Sequence, residues 1–110
     1  MPLPSLDLYV IKESANSASS SGDNTLVAAV SGKVIKVLQV ALMSNGTVNV
    51  KFQSGASGTD LTGLFYLIAN TGFVINFSPS GWFKTASGVL LNLNLSGAVA
   101  VGGVLSYIEV

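Results

Sequence analysis

Few residues in this chain are equipped to do chemistry. Its 110 residues include no histidine, no cysteine and no arginine, which leaves five lysines, five carboxylates and a set of hydroxyls. A general base of the usual kind is therefore missing, and the serines have no imidazole to activate them. Spacing alone does not place a lysine beside a serine. With both thiolate and imidazole missing, a zinc site is effectively excluded. Asp7, Glu13, Asp23, Asp60 and Glu109 are scattered, and none has the spacing of a calcium loop. Two carboxylates brought together by the fold would make a glycosidase pair, the one catalytic arrangement the composition leaves open. The expectation is a protein with no catalytic residues, no metal and no cofactor, and so not an enzyme.

Two further features belong to recognition. Trp82, the only tryptophan, follows the turn Ser78-Pro79-Ser80-Gly81. It reads as a core residue, or else as a sugar-stacking platform or interface anchor. Asn92 and Asn94 alternate with leucines, so they occupy the polar face of a strand. They read as solvated, or as ligand- or neighbour-binding amides.

The elements that must position these groups are strands. Val48, Val50 and Phe52 alternate with Asn49, Lys51 and Gln53, and Leu91, Leu93 and Leu95 alternate with Asn92 and Asn94. Phe73 to Phe77 alternates more weakly. A period of two with one wetter face marks antiparallel sheets. The expected core is Val48, Val50, Phe52, Ile75, Phe77, Leu91, Leu93 and Leu95. Val34 to Met43 is apolar on both faces apart from Lys36 and Gln39, as for a central strand covered on both sides or one facing a subunit interface. Asn45-Gly46 between two strand patterns predicts a hairpin, and Gly102-Gly103 a bulge or a close backbone approach. Strands are expected at 6–12, 25–30, 33–44, 47–53, 64–70, 73–77, 89–96 and 99–109, with 82–86 a short candidate ninth. About eight short strands punctuated by turns point to an all-β antiparallel β-sandwich or a barrel.

Composition adds a statement about surface. The chain is 49% hydrophobic, 9% charged and neutral overall. A fold of 11.2 kDa exposes roughly 5,700 Å², about one charge per 570 Å². Such a surface is either rich in uncharged polar groups or made for association, and the second is the reading adopted. With no basic patch, direct nucleic-acid binding is not expected. The opening Met1-Pro2-Leu3-Pro4 does not read as a signal peptide. The longest aliphatic-aromatic run, Leu64 to Ala69, is too short for a membrane helix. A membrane β-barrel is disfavoured by strands mostly shorter than a span and by the lack of paired aromatic girdles.

One segment departs from this pattern. Ser14 to Asn24 holds mainly Ser, Ala, Asn and Gly and reads as a flexible linker. It divides the chain into an N-terminal arm and linker, 1–24, and a sandwich domain, 25–110. As a relaxed coil, its eleven residues reach roughly 17–20 Å, enough to carry residues 1–13 to a neighbouring subunit. Leu6, Leu8, Tyr9, Val10 and Ile11 are the candidate partner-binding residues, able to line an exposed sheet edge. An ordinary surface loop is the plain alternative.

Pro79-Ser80-Gly81-Trp82-Phe83-Lys84-Thr85-Ala86, Leu91-Asn92-Leu93-Asn94-Leu95-Ser96-Gly97-Ala98-Val99, Val101-Gly102-Gly103 and Tyr107-Ile108-Glu109-Val110 together resemble a recurring ending of small proteins of tailed bacteriophages. The chain is similar, over about residues 32 to 110, to the small β-sandwich virion proteins that include head decoration, or cement, proteins. The resemblance implies a jelly-roll-like sandwich, a homotrimer, and the major capsid protein as partner. It also implies a place on the outer surface of the virion head after synthesis in the host cytoplasm. It carries no catalytic residues and does not extend to the arm. The expected function is capsid decoration and stabilisation. The alternative is a carbohydrate-binding β-sandwich module of a phage fibre or tail.

Overall fold

A computed structural model describes residues 10–110. The described residues form ten strands and no helix: β1 (Lys12–Ala18), β2 (Gly22–Val27), β3 (Ile35–Ser44), β4 (Val48–Ser54), β5 (Thr59–Asp60), β6 (Phe65–Leu67), β7 (Gly72–Ile75), β8 (Phe83–Lys84), β9 (Leu91–Leu95) and β10 (Val101–Glu109). Every pairing is antiparallel. Sheet one runs β1-β10-β3-β7, with β8 also on β3. Sheet two runs β2-β9-β4-β5, with β6 also on β4.

Ten strands occupy eight places. β5 and β6 bond successive parts of β4, and β7 and β8 successive parts of β3, so each pair is one interrupted strand. Counted so, β1, β3, β7/β8 and β10 lie in sheet one and β2, β4, β5/β6 and β9 in sheet two. The orders β1-β10-β3-β7/β8 and β2-β9-β4-β5/β6 are those of a jelly-roll sandwich.

This topology overturns the hairpin at Asn45-Gly46. β3 and β4 lie in different sheets, and Gly46 is not among the glycines with positive φ that a type I′ turn demands. The Asn45 backbone N–H instead donates to the Ala100 carbonyl beside β10, and the turn carries the chain from one sheet to the other across the end of the sandwich. Gly102-Gly103 does mark a close approach: a Cβ on Gly103 would run into the Ala41 carbonyl across the ladder.

The flexible linker is also overturned. Ser14–Ala18 belongs to β1, paired residue for residue with β10, and Gly22–Asn24 opens β2, paired with β9. The polar composition misleads because β1 is held by its backbone ladder, with only Asn16 and Ala18 fully buried. Asn24 ties the intervening turn, its amide donating to the carbonyls of Ser20 and Gly22. The expected strand 6–12 falls mostly outside the described residues, and Val10 and Ile11 precede β1. A swing of residues 1–13 on an eleven-residue tether is therefore not available, because Lys12 and Glu13 are already paired with Tyr107 and Ser106.

The core lies between the sheets. Ile35, Val37, Val40, Leu42 and Leu105 from sheet one meet Val48, Val50, Phe52, Leu91, Leu93 and Leu95 from sheet two. Phe52 holds Phe83 at 4.9 Å between ring centroids. Phe65 of β6 stacks on Phe73 of β7 at 4.3 Å, joining the sheets at their shared edge. Six of the eight expected core residues are fully buried. Ile75 is partly buried, and Phe77 is exposed, since β7 ends at Ile75 and the alternation stops with it.

Candidate interaction surface

The two outer faces of the sandwich differ in kind. On sheet two the outward residues form a hydrogen-bonded polar lattice. The Asn92 amide donates to Asp23 Oδ1 (2.9 Å) and Gln53 Oε1 (2.9 Å), and Asn92 Oδ1 accepts from the Asn24 backbone N–H (2.8 Å). Gln53 Nε2 donates to Asp60 Oδ1, which also faces the Lys51 ammonium. Ser57 donates to Asp23 through both its backbone N–H (3.0 Å) and its hydroxyl (2.7 Å), tying the loop after β4 onto this lattice. Asn92 is 0% exposed. Its amide is used up within the protein, so the solvated reading of this asparagine fails while Asn94 stays half-buried.

These bonds set the charges. The Ser57 hydroxyl and amide, followed by Asn92 and Asn94, hold the Asp23 carboxyl below its ordinary value. Gln53, then Lys51, does the same for Asp60. The 2.7 Å bond to Glu109 raises the Lys12 ammonium. Asp23, Asp60 and Glu109 thus sit among separate partners. Among the described residues no cluster of three or more acidic, histidine or cysteine side chains is placed to hold a metal ion.

Sheet one has an apolar outer face. The register places Ala15, Val104, Ala41 and Val74 side by side across four strands, and Ser17, Gly102, Met43 and Gly72 in the next row. Met43, Val74 and Val104 are 59%, 65% and 47% exposed. Neither row holds a charge. Glycine at 72 and 102, on either side of Met43, removes side chains from this face, which leaves an open groove of ≈ 440 Å³. It shares Met43 and Gly102 with a second depression reaching Ser17, Asn45 and Asn70. In β3 only Met43 is exposed on the outer side; Lys36, Gln39 and Ala41 are half-buried and Leu38 is fully buried. The sequence signalled this surface in the doubly apolar run and the paired glycines, but not that β10 and β7 would complete it with Val104 and Val74.

Of the candidate partner-binding residues, Leu6, Leu8 and Tyr9 lie outside the described residues. Val10 and Ile11 are exposed, immediately before the edge strand β1. Trp82 is 55% exposed, not core, with its indole N–H donated to the Asn76 carbonyl at 2.6 Å.

No protein-family model matches the chain, and no curated protein does. Among solved structures, it is similar to a chain of Bacillus endospore appendages, described as a novel family of disulfide-linked pili. The TM-score is 0.53 at 13% identity, over 92% of this chain and 86% of that one. The likeness is one of fold: an all-β protein of two packed antiparallel sheets. Having no cysteine, this chain lacks the means for a disulfide link.

Proposed function

We propose that this chain is a structural protein that works by assembling, a decoration protein bound as a homotrimer to the outer surface of a phage head. The apolar outer face of sheet one carries the reading. A neutral protein exposing Met43, Val74 and Val104 in uncharged rows gains free energy by covering them, and a second copy offers a matching surface. The polar lattice on sheet two is saturated internally, so it gives a neighbour less to bind. The fold-level neighbour belongs to an assembled appendage, which supports assembly as the use of such a sandwich. The sequence resemblance supports the phage head and the major capsid protein as the place and partner. Val10 and Ile11, exposed just before β1, dock on an adjacent subunit or the capsid.

Sedimentation velocity at micromolar concentration is the test, since stable interfaces of about 800 Å² per partner hold at that concentration. The expected species is a trimer, reduced to a monomer by Val104→Glu, with the circular dichroism of the sandwich retained. Deleting residues 1–11 should leave a folded protein that co-sediments poorly with heads. A monomeric wild type, or undiminished assembly of Val104→Glu, refutes the proposal.

The alternative, a carbohydrate-binding module, is favoured by one observation, the exposure of Trp82.

A further inference from the structure

The end of sheet one opposite Met43 has a different chemistry. Phe83 points into the core against Phe52, so its neighbours Trp82 and Lys84 point outward. Lys84 pairs directly across the ladder with Lys36 of β3, which also points outward between buried Ile35 and Val37. Two like charges directly opposite each other disfavour the sheet. Among the described residues nothing neutralises them: the ion pairs are Lys12–Glu109 and Lys51–Asp60. The stem of Lys36 lies along Gly81, where a Cβ would collide with it. Gly81 has φ +82°, the left-handed region that suits glycine, so turn and lysine are fitted together.

These side chains line a depression of ≈ 250 Å³ with Ser80, Gly81 and Phe83. The Trp82 ring is fixed in advance by its 2.6 Å bond to the Asn76 carbonyl. The Ser80 hydroxyl, paired with Ser78 at 3.2 Å, stands on the same turn. A pre-set aromatic, two ammonium groups with no ion-pair partner among the described residues and a hydroxyl share a hollow the size of one sugar ring.

We propose that Trp82, Lys36, Lys84 and Ser80 form a binding site for an acidic saccharide. A pyranose stacks its C–H face on the indole while the lysines receive its carboxylate or an ester phosphate or sulfate. The anion relieves the Lys36–Lys84 repulsion, which gives the site its preference for charged over neutral sugars. A nucleic-acid strand shares the anionic and stacking chemistry, but a tracked backbone needs a basic groove with successive aromatics, and this site has one ring and two cations. The proposal rests on the carbohydrate-binding alternative and names its site and ligand class; it neither assumes nor tests assembly. Lys36 and Met43 are seven residues apart on β3, roughly 23 Å, so both surfaces can be occupied together.

The only tryptophan makes its fluorescence a reporter of the site. The full chain is titrated with galacturonic acid trisaccharide, neutral galactotriose, inorganic phosphate and oligothymidylate. The expected result is a saturable shift with the acidic trisaccharide, binding about tenfold weaker for the neutral one, and reversal by salt. The double substitution Lys36→Gln, Lys84→Gln should abolish that preference while the protein melts no lower than wild type. No response to the acidic trisaccharide at about 10 mM overturns the proposal. So does equal binding of both trisaccharides, binding of phosphate alone as tightly as the sugar, or tighter binding of oligothymidylate. A shift that follows protein concentration without sugar makes Trp82 a self-association contact and also overturns it. Sedimentation of the Lys36→Gln, Lys84→Gln protein is expected to match wild type, so failure of the sugar site and failure of assembly are read separately.

Discussion

Two asparagines in one short strand are expected to respond very differently to the same truncation. Asn92 and Asn94 both point outward from β9, yet Asn92 is fully buried while Asn94 makes one long bond of 3.4 Å to Asp23. Asn92→Ala leaves two groups unmatched besides the Asp23 contact: the Asn24 backbone N–H and Gln53 Oε1. A buried polar group stripped of its partner costs about 1–3 kcal/mol. Water can reach part of the vacated space, so the lower half of the combined range applies, about 2–4 kcal/mol. For a domain of this size that lowers the melting temperature by roughly 8–20 °C. Asn94→Ala should cost under about 0.5 kcal/mol, as surface changes do. Urea unfolding of the two variants, followed by circular dichroism with the slope checked for constancy, decides the matter. If the two lie within about 0.5 kcal/mol of each other, the lattice on sheet two carries no stability.

The remaining expectations concern the core, a misplaced amide and acid. Leu93→Ala should cost about 2–5 kcal/mol and Phe77→Ala well under 1 kcal/mol in the same assay, because only Leu93 lies between the sheets. Asn16 is buried opposite Gly103, and neither polar atom of its side chain has a partner among the described residues. Asn16→Leu should therefore stabilise the fold by about 1–2 kcal/mol, and a loss of stability would show that the amide is satisfied after all. The lowered Asp23 and Asp60 contribute stability that is present above the ordinary carboxylate value of 3.8 and is lost as pH falls through their depressed folded values. Thermal melts should be level through neutral pH and decline below pH 3.8, with a shallower decline for Asp23→Asn. The raised Lys12 acts oppositely, its contribution fading only as pH climbs past 10.5.

Alternation alone made Val48, Val50, Phe52, Leu91, Leu93 and Leu95 legible as one buried face, because a strand's side chains change sides at every residue whatever sheet it joins. The absence of histidine, cysteine and arginine is likewise a property of the chain that no folding alters, and so is the scarcity of charge. Pairing partners are a different kind of fact. β1 and β2 carry almost no apolar pattern, and they are strands because β10 and β9 offer them a ladder that is remote in sequence. Asn45-Gly46 has the local chemistry of a hairpin, but the free energy of burying β3 and β4 in opposite sheets outweighs it. Asn92 and Asn94 are indistinguishable along the strand, and only the loop carrying Ser57 and the neighbouring Gln53 separate them into a buried and a wetter amide. Lys36 and Lys84 lie far apart in the chain, and Met43, Val74 and Val104 come from three strands. Both surfaces exist only through register across sheet one. Side-chain chemistry and period are local and survive in the sequence, whereas a surface is assembled from residues distant along the chain, and tertiary structure alone decides which of them stand side by side.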